Sequence, residues 1–261
     1  MHPQACRTAP EHDALLRALD GAEAPVNFFV RDDDAGWADD KLFALLRVMD
    51  EAEVPIDLAA IPSAITPELG RELKARKRAG QRLGIHQHGF AHLNHETQGR
   101  KCEFGAGREL VRREADLRRG RDILRAAFEA SLDPIFTPPW NRVSPDTPFV
   151  LAALGFAALS RDVAAPEQHA LPEIAVHCDW SKQWRLAEQA RADAQRRIAD
   201  DLARHVAPGA CVGLMLHHAV MGPAELDSLG QLLAAWASHP NARWLPMMAL
   251  VEQSHAALSL G

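Results

Sequence analysis

Gly84-Ile85-His86-Gln87-His88-Gly89-Phe90-Ala91-His92-Leu93-Asn94-His95 gathers four of the chain's 13 histidines into ten residues. His88 and His92 stand four apart, so one helical turn or a compact loop can aim both imidazoles at a single point, as a divalent metal ion requires. Two other groups gain meaning beside this stretch: upstream Arg31-Asp32-Asp33-Asp34-Ala35-Gly36, and downstream Leu214-Met215-Leu216-His217-His218. Each follows an apolar run that reads as a buried strand, and the loops beyond such strands are where an α/β barrel carries its chemistry. Together the three groups point to a metal-dependent hydrolase.

Working outward, apolar runs alternate with amphipathic segments. Strands are expected at 26–31, 56–61, 82–86, 134–136, 157–160, 174–177, 212–217 and 243–245. Helices are expected at 39–53, 66–79, 108–130, 185–205, 223–238 and 247–258. In the first helix Leu42, Leu45, Leu46 and Met49 share one face. In the second, Thr66 is placed to cap and Pro67 to occupy the first turn. Repeated βα units favour parallel strands joined by helical crossovers. No repeat, low-complexity linker or composition break divides the chain, so residues 1–261 are expected to form a single domain.

At 261 residues and 28.6 kDa the chain is long enough for one large α/β core. Its 47% hydrophobic and 25% charged content is that of an ordinary globular protein. A net charge of −6 argues against a nucleic-acid partner, which needs a concentrated basic face. The basic run from Arg71 to Arg78 reads as a solvated helix face. No apolar stretch approaches the roughly 20 residues of a membrane helix. The first twenty residues lack the apolar centre of a secretory leader. Cys6, Cys102, Cys178 and Cys211 are scattered, a pattern that fits reduced thiols. A cytoplasmic location is the resulting expectation.

Five motifs, in order, carry a resemblance: Asp33-Asp34-Ala35-Gly36, His88-x-x-x-His92, Thr137-Pro138-Pro139-Trp140-Asn141, Asp179-Trp180 and Leu214-Met215-Leu216-His217. Over residues 26–220 the chain resembles the polysaccharide deacetylase family (NodB-homology, carbohydrate esterase 4-like). The resemblance implies an α/β fold, a distorted (β/α)7 barrel of the polysaccharide deacetylase type. It also implies hydrolysis of N-acetyl or related amide groups with one divalent metal ion, Zn2+ being the ion best suited to an Asp/His/His set.

Carried over residue by residue, the resemblance makes Asp33 the catalytic base and Asp34, His88 and His92 the metal ligands, with Asp32 in a slot the family fills with a hydrophobic residue. Helix capping could account for one of the three aspartates. It does not account for three carboxylates after Phe28-Phe29-Val30, because burying adjacent charges is costly without a cation. His86 and His95 are candidates for orienting a ligand or touching substrate, His86 foremost because it shares a strand face with His88. At the third motif Thr137 replaces the family's arginine, and Arg31 or Arg142 could supply the missing charge. Pro139, Trp140, Asn141 and Arg142 read either as a rigid packing loop or as a substrate platform. His217 resembles the family's general acid, with Asp179 holding its tautomer; an imidazole can protonate a leaving amine near neutral pH. His218 should face the other way, as neighbours in a strand do. The expected substrate is an N-acetylated amino sugar or a soluble or lipid-linked glycan precursor. A small non-sugar amide, or a non-catalytic metal-bearing carbohydrate-binding protein, is the alternative.

Overall fold

The computed structural model describes residues 13–186 and 191–258. Its strands are β1 (Val26–Ala35), β2 (Ile56–Ala60), β3 (Leu83–His88), β4 (Ile135–Thr137), β5 (Ala158–Leu159), β6 (Cys178–Asp179), β7 (Cys211–Leu216) and β8 (Ala242–Trp244). The helices are α1 (Asp13–Asp20), α2 (Asp39–Glu51), α3 (Pro67–Arg78), α4 (Leu110–Phe128), α5 (Thr147–Ala153), α6 (Trp180–Leu186), α7 (Arg191–Ala203), α8 (Pro223–Ala237) and α9 (Met247–Leu258). Every pairing is parallel, in the order β5-β4-β3-β2-β1-β7-β6, with β8 alongside the start of β1. The segment before β6 joins the two ends of this curled sheet. Ile174 and Val176 donate backbone N–H bonds to the carbonyls of Leu159 (2.9 Å) and Arg161 (2.8 Å), and the next residue, His177, donates to that of Gly213 (2.8 Å). The result is a distorted α/β barrel, with seven strands along its path and β8 added beside β1.

Alternation along β1 sets out the interior. Phe28 and Val30 point into the large cluster between sheet and helices, with Leu45, Leu58, Leu214 and Trp236. Phe29 points inward, to a smaller cluster with Ile135, Val176, Met215 and Met247 that floors the barrel. Burying each such side chain contributes roughly 1.5–3 kcal/mol. Above that floor the inward positions turn polar: Arg31, His86, Thr137 and Ser160, all 0% exposed, and then Asp33 and His88 at the rim. Asp57 lies beside the floor, accepting the Met247 N–H at 2.9 Å; burial, reinforced by the charge of Asp133, raises its carboxyl to about 8. It faces Gly84 so closely that a Cβ there would lie 1.8 Å from its Oδ1.

The expected capping of α3 is present, with Thr66 Oγ1 accepting the Leu69 N–H at 3.1 Å. Several boundaries differ from the sequence reading. β1 continues through all three aspartates, and β3 extends to include His88. Instead of a strand at 174–177, isolated bridges form at Glu173 and Val176, and the laddered strand is Cys178–Asp179. The expected helix at 185–205 is two helices, α6 and α7, with the stretch between them outside the described residues. No described helix is long and apolar enough to cross a membrane.

Candidate metal and catalytic site

The C-terminal ends of β1 and β3 deliver the candidate ligands. Asp34 Oδ1 lies 3.4 Å from His88 Nε2 and 3.3 Å from His92 Nε2. It has no hydrogen-bond partner, although it is buried. Among the described residues this is the one group of three or more His, Cys, Asp and Glu side chains whose ligand atoms all lie within 4.8 Å of one another. His88 Nδ1 lies 3.0 Å from the Thr137 carbonyl. It can only donate there, so in the neutral ring Nε2 carries the lone pair and faces Asp34. A carboxylate oxygen and two imidazole nitrogens converging without hydrogen bonds of their own are the donor set that zinc and related divalent ions take. Burial alone would raise the Asp34 carboxyl, but His88, then His92 and His217, hold it down at about 2.

The loop between the two histidines is tightly held. Gly89 has φ 56°, and a Cβ there would lie 2.1 Å from the Glu103 carboxylate and 2.6 Å from Pro139. Buried Glu103 accepts the N–H groups of Phe90 (3.2 Å) and Ala91 (2.8 Å), and Gly89 donates to the Thr137 carbonyl (3.1 Å). Asp34, His92, Trp140 and Asn141 also have positive φ, between 55° and 73°. Such conformations are disfavoured for residues other than glycine and gather where a site fixes its side chains.

Asp33 sits beside the triad and faces inward. Arg31, two residues earlier on the same face of β1, grips it with both arms: Nε to Oδ1 at 2.8 Å and Nη2 to Oδ2 at 3.0 Å. The same guanidinium bonds Ser160 Oγ (2.9 Å) and Asn141 Oδ1 (2.8 Å). Burial pushes the Asp33 carboxyl up; Arg31 first, then His88 and His217, outweigh it and keep the group below the ordinary carboxylate range. His217 looks at Asp33 from just beyond the end of β7, Nε2 to Oδ2 4.0 Å, and its Nδ1, without a hydrogen bond, is 4.0 Å from Asp179. Asp179 also caps α6 by accepting the Lys182 N–H at 3.0 Å. A cavity of about 780 Å³ opens beside this group, lined by His217, Asp179, Asn141, Trp140 and Arg142 among others. Trp140 links cavity and triad, its ring 4.5 Å from that of His92.

Neither a protein-family model nor any curated protein sequence matches the chain. Solved structures do. A candidate polysaccharide deacetylase from Mycobacterium smegmatis superposes with a TM-score of 0.59 at 16% identity, over 91% of this chain and 92% of its own. A family 4 acetyl xylan esterase from Clostridium thermocellum, in complex with a cobalt ion, gives 0.57 at 10% identity over 87% and 91%. The chain has the fold of the family 4 carbohydrate esterases. A family 4 pseudoenzyme from Bacillus anthracis shares that fold as well, at 0.52 and 14% identity over 83% of this chain and 66% of its own. The carbohydrate esterase fold therefore leaves activity to be argued from the side chains.

Two expectations need correction on this scaffold. His86 shares the inward face with His88 but lies one layer deeper, 0% exposed, with Nε2 2.8 Å from Thr137 Oγ1. Burial, then the charge of Arg31, lowers its pKa to about 3, so it is neutral packing beneath the site and does not meet substrate. Pro139 is buried against Gly89 and shapes the loop without lining the cavity. Of the two candidates for the missing motif arginine, Arg31 holds Asp33, whereas Arg142 donates to the Lys101 carbonyl at 2.9 Å and lines the cavity. Asp32 and His218 lie on the outer side of β1. His218 Nδ1 lies 2.6 Å from Asp32 Oδ2, and its Nε2 lies 2.7 Å from the Trp37 carbonyl. Glu103, buried behind the histidine loop, had no sequence signal; its partners are backbone groups that only the folded loop presents.

Proposed function

We propose that the chain is a metal-dependent hydrolase that removes an N-acetyl or related acyl group from an amino sugar or glycan precursor. The observation that carries this reading is the convergence of Asp34 Oδ1, His88 Nε2 and His92 Nε2 beside a buried Asp33–Arg31 pair that His217 faces. Asp34, His88 and His92 would hold the metal, which when bound polarises the acyl carbonyl and acidifies water. Asp33, kept ionised by Arg31, accepts the proton of the attacking water. His217 donates a proton to the departing amine, and Asp179, 4.0 Å from its Nδ1, is the carboxylate placed to steady the ring. Trp140 offers a ring face to the sugar. Support for an active enzyme over a non-catalytic binder comes from Arg31. Although Thr137 stands where the family has arginine, a guanidinium still grips the carboxylate proposed as base.

The test is metal content and turnover together. Full-length protein reconstituted with Zn2+ is expected to bind one ion per chain and to release acetate from N-acetylated sugars or chito-oligosaccharides. His88→Ala and His92→Ala are each expected to lose both ion and turnover. Full occupancy in both variants, or acetate release that survives removal of the metal, would overturn the assignment.

A further inference from the structure

Trp37 follows β1, three residues after Asp34, and is 40% exposed. A single exposed hydrophobic side chain is ordinary, but this one is held in place. Its backbone N–H donates to the Asp34 carbonyl at 3.1 Å, and its own carbonyl accepts from the buried His218 ring, whose Nε2 is 2.7 Å away. His218 is anchored in turn by Asp32. The ion pair that takes no part in the proposed chemistry thus fixes the turn that presents this indole. The indole lies beside the candidate ligands: its centroid is 4.9 Å from that of His92, with the two rings edge-on at 65°. His92 therefore has two indoles against it, Trp37 and, at 4.5 Å, Trp140.

The two indoles belong to different parts of the barrel mouth. Trp140 lines the cavity of about 780 Å³, whose walls come from the segments that follow β3, β4 and β5 and from those around β6 and β7. No residue of the turns after β1 or β2 lines it, and Trp37 stands in the first of these. A ligand that lies in the cavity with its acyl group at the triad, and continues past His92 on the β1 side, meets Trp37. Chemistry narrows what that continuation is. An indole offers a flat apolar face, and the CH-lined face of a pyranose ring is its uncharged counterpart. Charge points the same way. Asp39 and Asp40 open α2 two and three residues on, and they outnumber Lys41, which is itself bonded to the Ala219 carbonyl. That flank repels an anionic surface and suits a neutral ring. Because the backbone of Trp37 is already held at both ends, little ordering has to accompany binding.

We propose that Trp37 is a substrate-binding residue that stacks on a second pyranose unit, next to the unit whose acyl group reaches the triad, and that the ligand is a neutral oligosaccharide of N-acylated hexosamines. The placing of the acyl group rests on the deacylase reading above; the stacking of a neutral oligosaccharide on Trp37 does not. The test has two arms on the full chain. In the first, metal-free protein is titrated calorimetrically with N-acetylglucosamine and with its β-1,4-linked tetramer. The tetramer is expected to bind about tenfold more tightly than the monomer, and Trp37→Ala to remove most of that advantage while leaving monomer affinity within about twofold. Trp37→Phe, which keeps a ring face, should retain most of it. In the second, acetate release by Zn2+-reconstituted protein is compared for the same two ligands. Trp37→Ala should raise KM for the tetramer about fivefold or more, with kcat little changed and the monomer spared. A tetramer that binds no better than the monomer, or binds Trp37→Ala as well as wild type, overturns the subsite. So does an equal loss for monomer and tetramer, which would mean that Trp37 only shapes His92. Binding of phosphatidylglycerol vesicles that is lost in Trp37→Ala would make the indole a membrane contact and overturn it too. Tetramer binding that depends on Trp37, without acetate release from any ligand, would retire the deacylase reading and leave the glycan subsite standing.

Discussion

Replacing Arg31 by Met removes the guanidinium that holds Asp33, and with it the two bonds of 2.8 and 3.0 Å. Arg31 is 0% exposed and the Asp33 side chain 5%, so water cannot take the guanidinium's place. Removing one partner of such a pair leaves a buried charge uncompensated, at a cost of about 3–5 kcal/mol. Ser160 and Asn141 lose a donor as well. For a domain of this size the melting temperature should fall by roughly 6–20 °C at pH 7. The pH dependence supplies the internal check. In the wild type Asp33 is depressed, so its contribution is present above the ordinary carboxylate pKa and is lost as pH falls through the lower folded value. In Arg31→Met burial acts with its main opponent gone, the carboxyl rises, and protonation relieves the strain; the gap to wild type should therefore narrow as pH falls from 7 towards 4. Metal-free protein, melted across that range with the circular dichroism signal followed, is the assay. Arg31→Lys should recover only part of the loss, because an ammonium cannot supply the fork. A variant melting within about 2 °C of wild type at pH 7, or a gap that does not close in acid, would refute the reasoning.

His217→Ala should cut amide hydrolysis by about a hundredfold or more and largely spare an activated aryl ester, whose leaving group needs no proton; equal losses on both would remove His217 from the acid role. His218 has its pKa lifted to about 9, because the Asp32 carboxylate and the Trp37 carbonyl outweigh burial. Its stabilisation, about 3 kcal/mol, should be complete below about pH 6.5 and lost as pH rises through 9. His218→Gln should accordingly flatten the alkaline fall in melting temperature, and an unchanged profile would exclude the ion pair. Gly89→Ala should destabilise the protein and weaken metal binding together, since both the positive φ and the Glu103 contact forbid a Cβ; a fully metallated, equally stable variant would show that the loop has slack.

Periodicity made the barrel legible because a strand flanked by helices on one side and a filled interior on the other leaves a strong apolar run, as in Val26–Val30 and Val212–Leu216. The opposed faces of His217 and His218 were legible for the same reason. Depth along the barrel axis was not. Alternation puts His86 and His88 on one face, but nothing in the sequence says that one lies a layer below the rim. The partner of Asp33 was narrowed only to Arg31 or Arg142. Arg31 is two residues away, which in a strand means the same face, yet that inference requires β1 to run on through three aspartates, a sequence that reads as a loop. Helix α5 is short and apolar at nearly every position, so no periodic contrast of faces marks it as an element, and the stretch expected as a strand at 174–177 is held instead by tertiary hydrogen bonds such as Val176 to Arg161.

The three consecutive aspartates become intelligible once each is followed to its counter-charge. Asp32 faces outward and meets the His218 imidazole at 2.6 Å; both His218 ring nitrogens have acceptors, so the ring is the charged form. Asp33 faces inward and is gripped by Arg31. Asp34 leaves the strand through a positive φ of 73° and so reaches neither cation. It has only the two imidazoles, and His88, despite a burial that opposes charge, has its pKa raised by the Asp34 carboxylate facing its Nε2 and by the charge of Asp33. Without an ion, a proton on His88 thus supplies part of the compensation that Asp34 needs. A divalent cation bound by the same three side chains would displace that proton and compensate the carboxylate fully. One strand end therefore sorts three identical side chains into a structural ion pair, the proposed base and a proposed metal ligand, by facing two of them in opposite directions and turning the third through a left-handed residue.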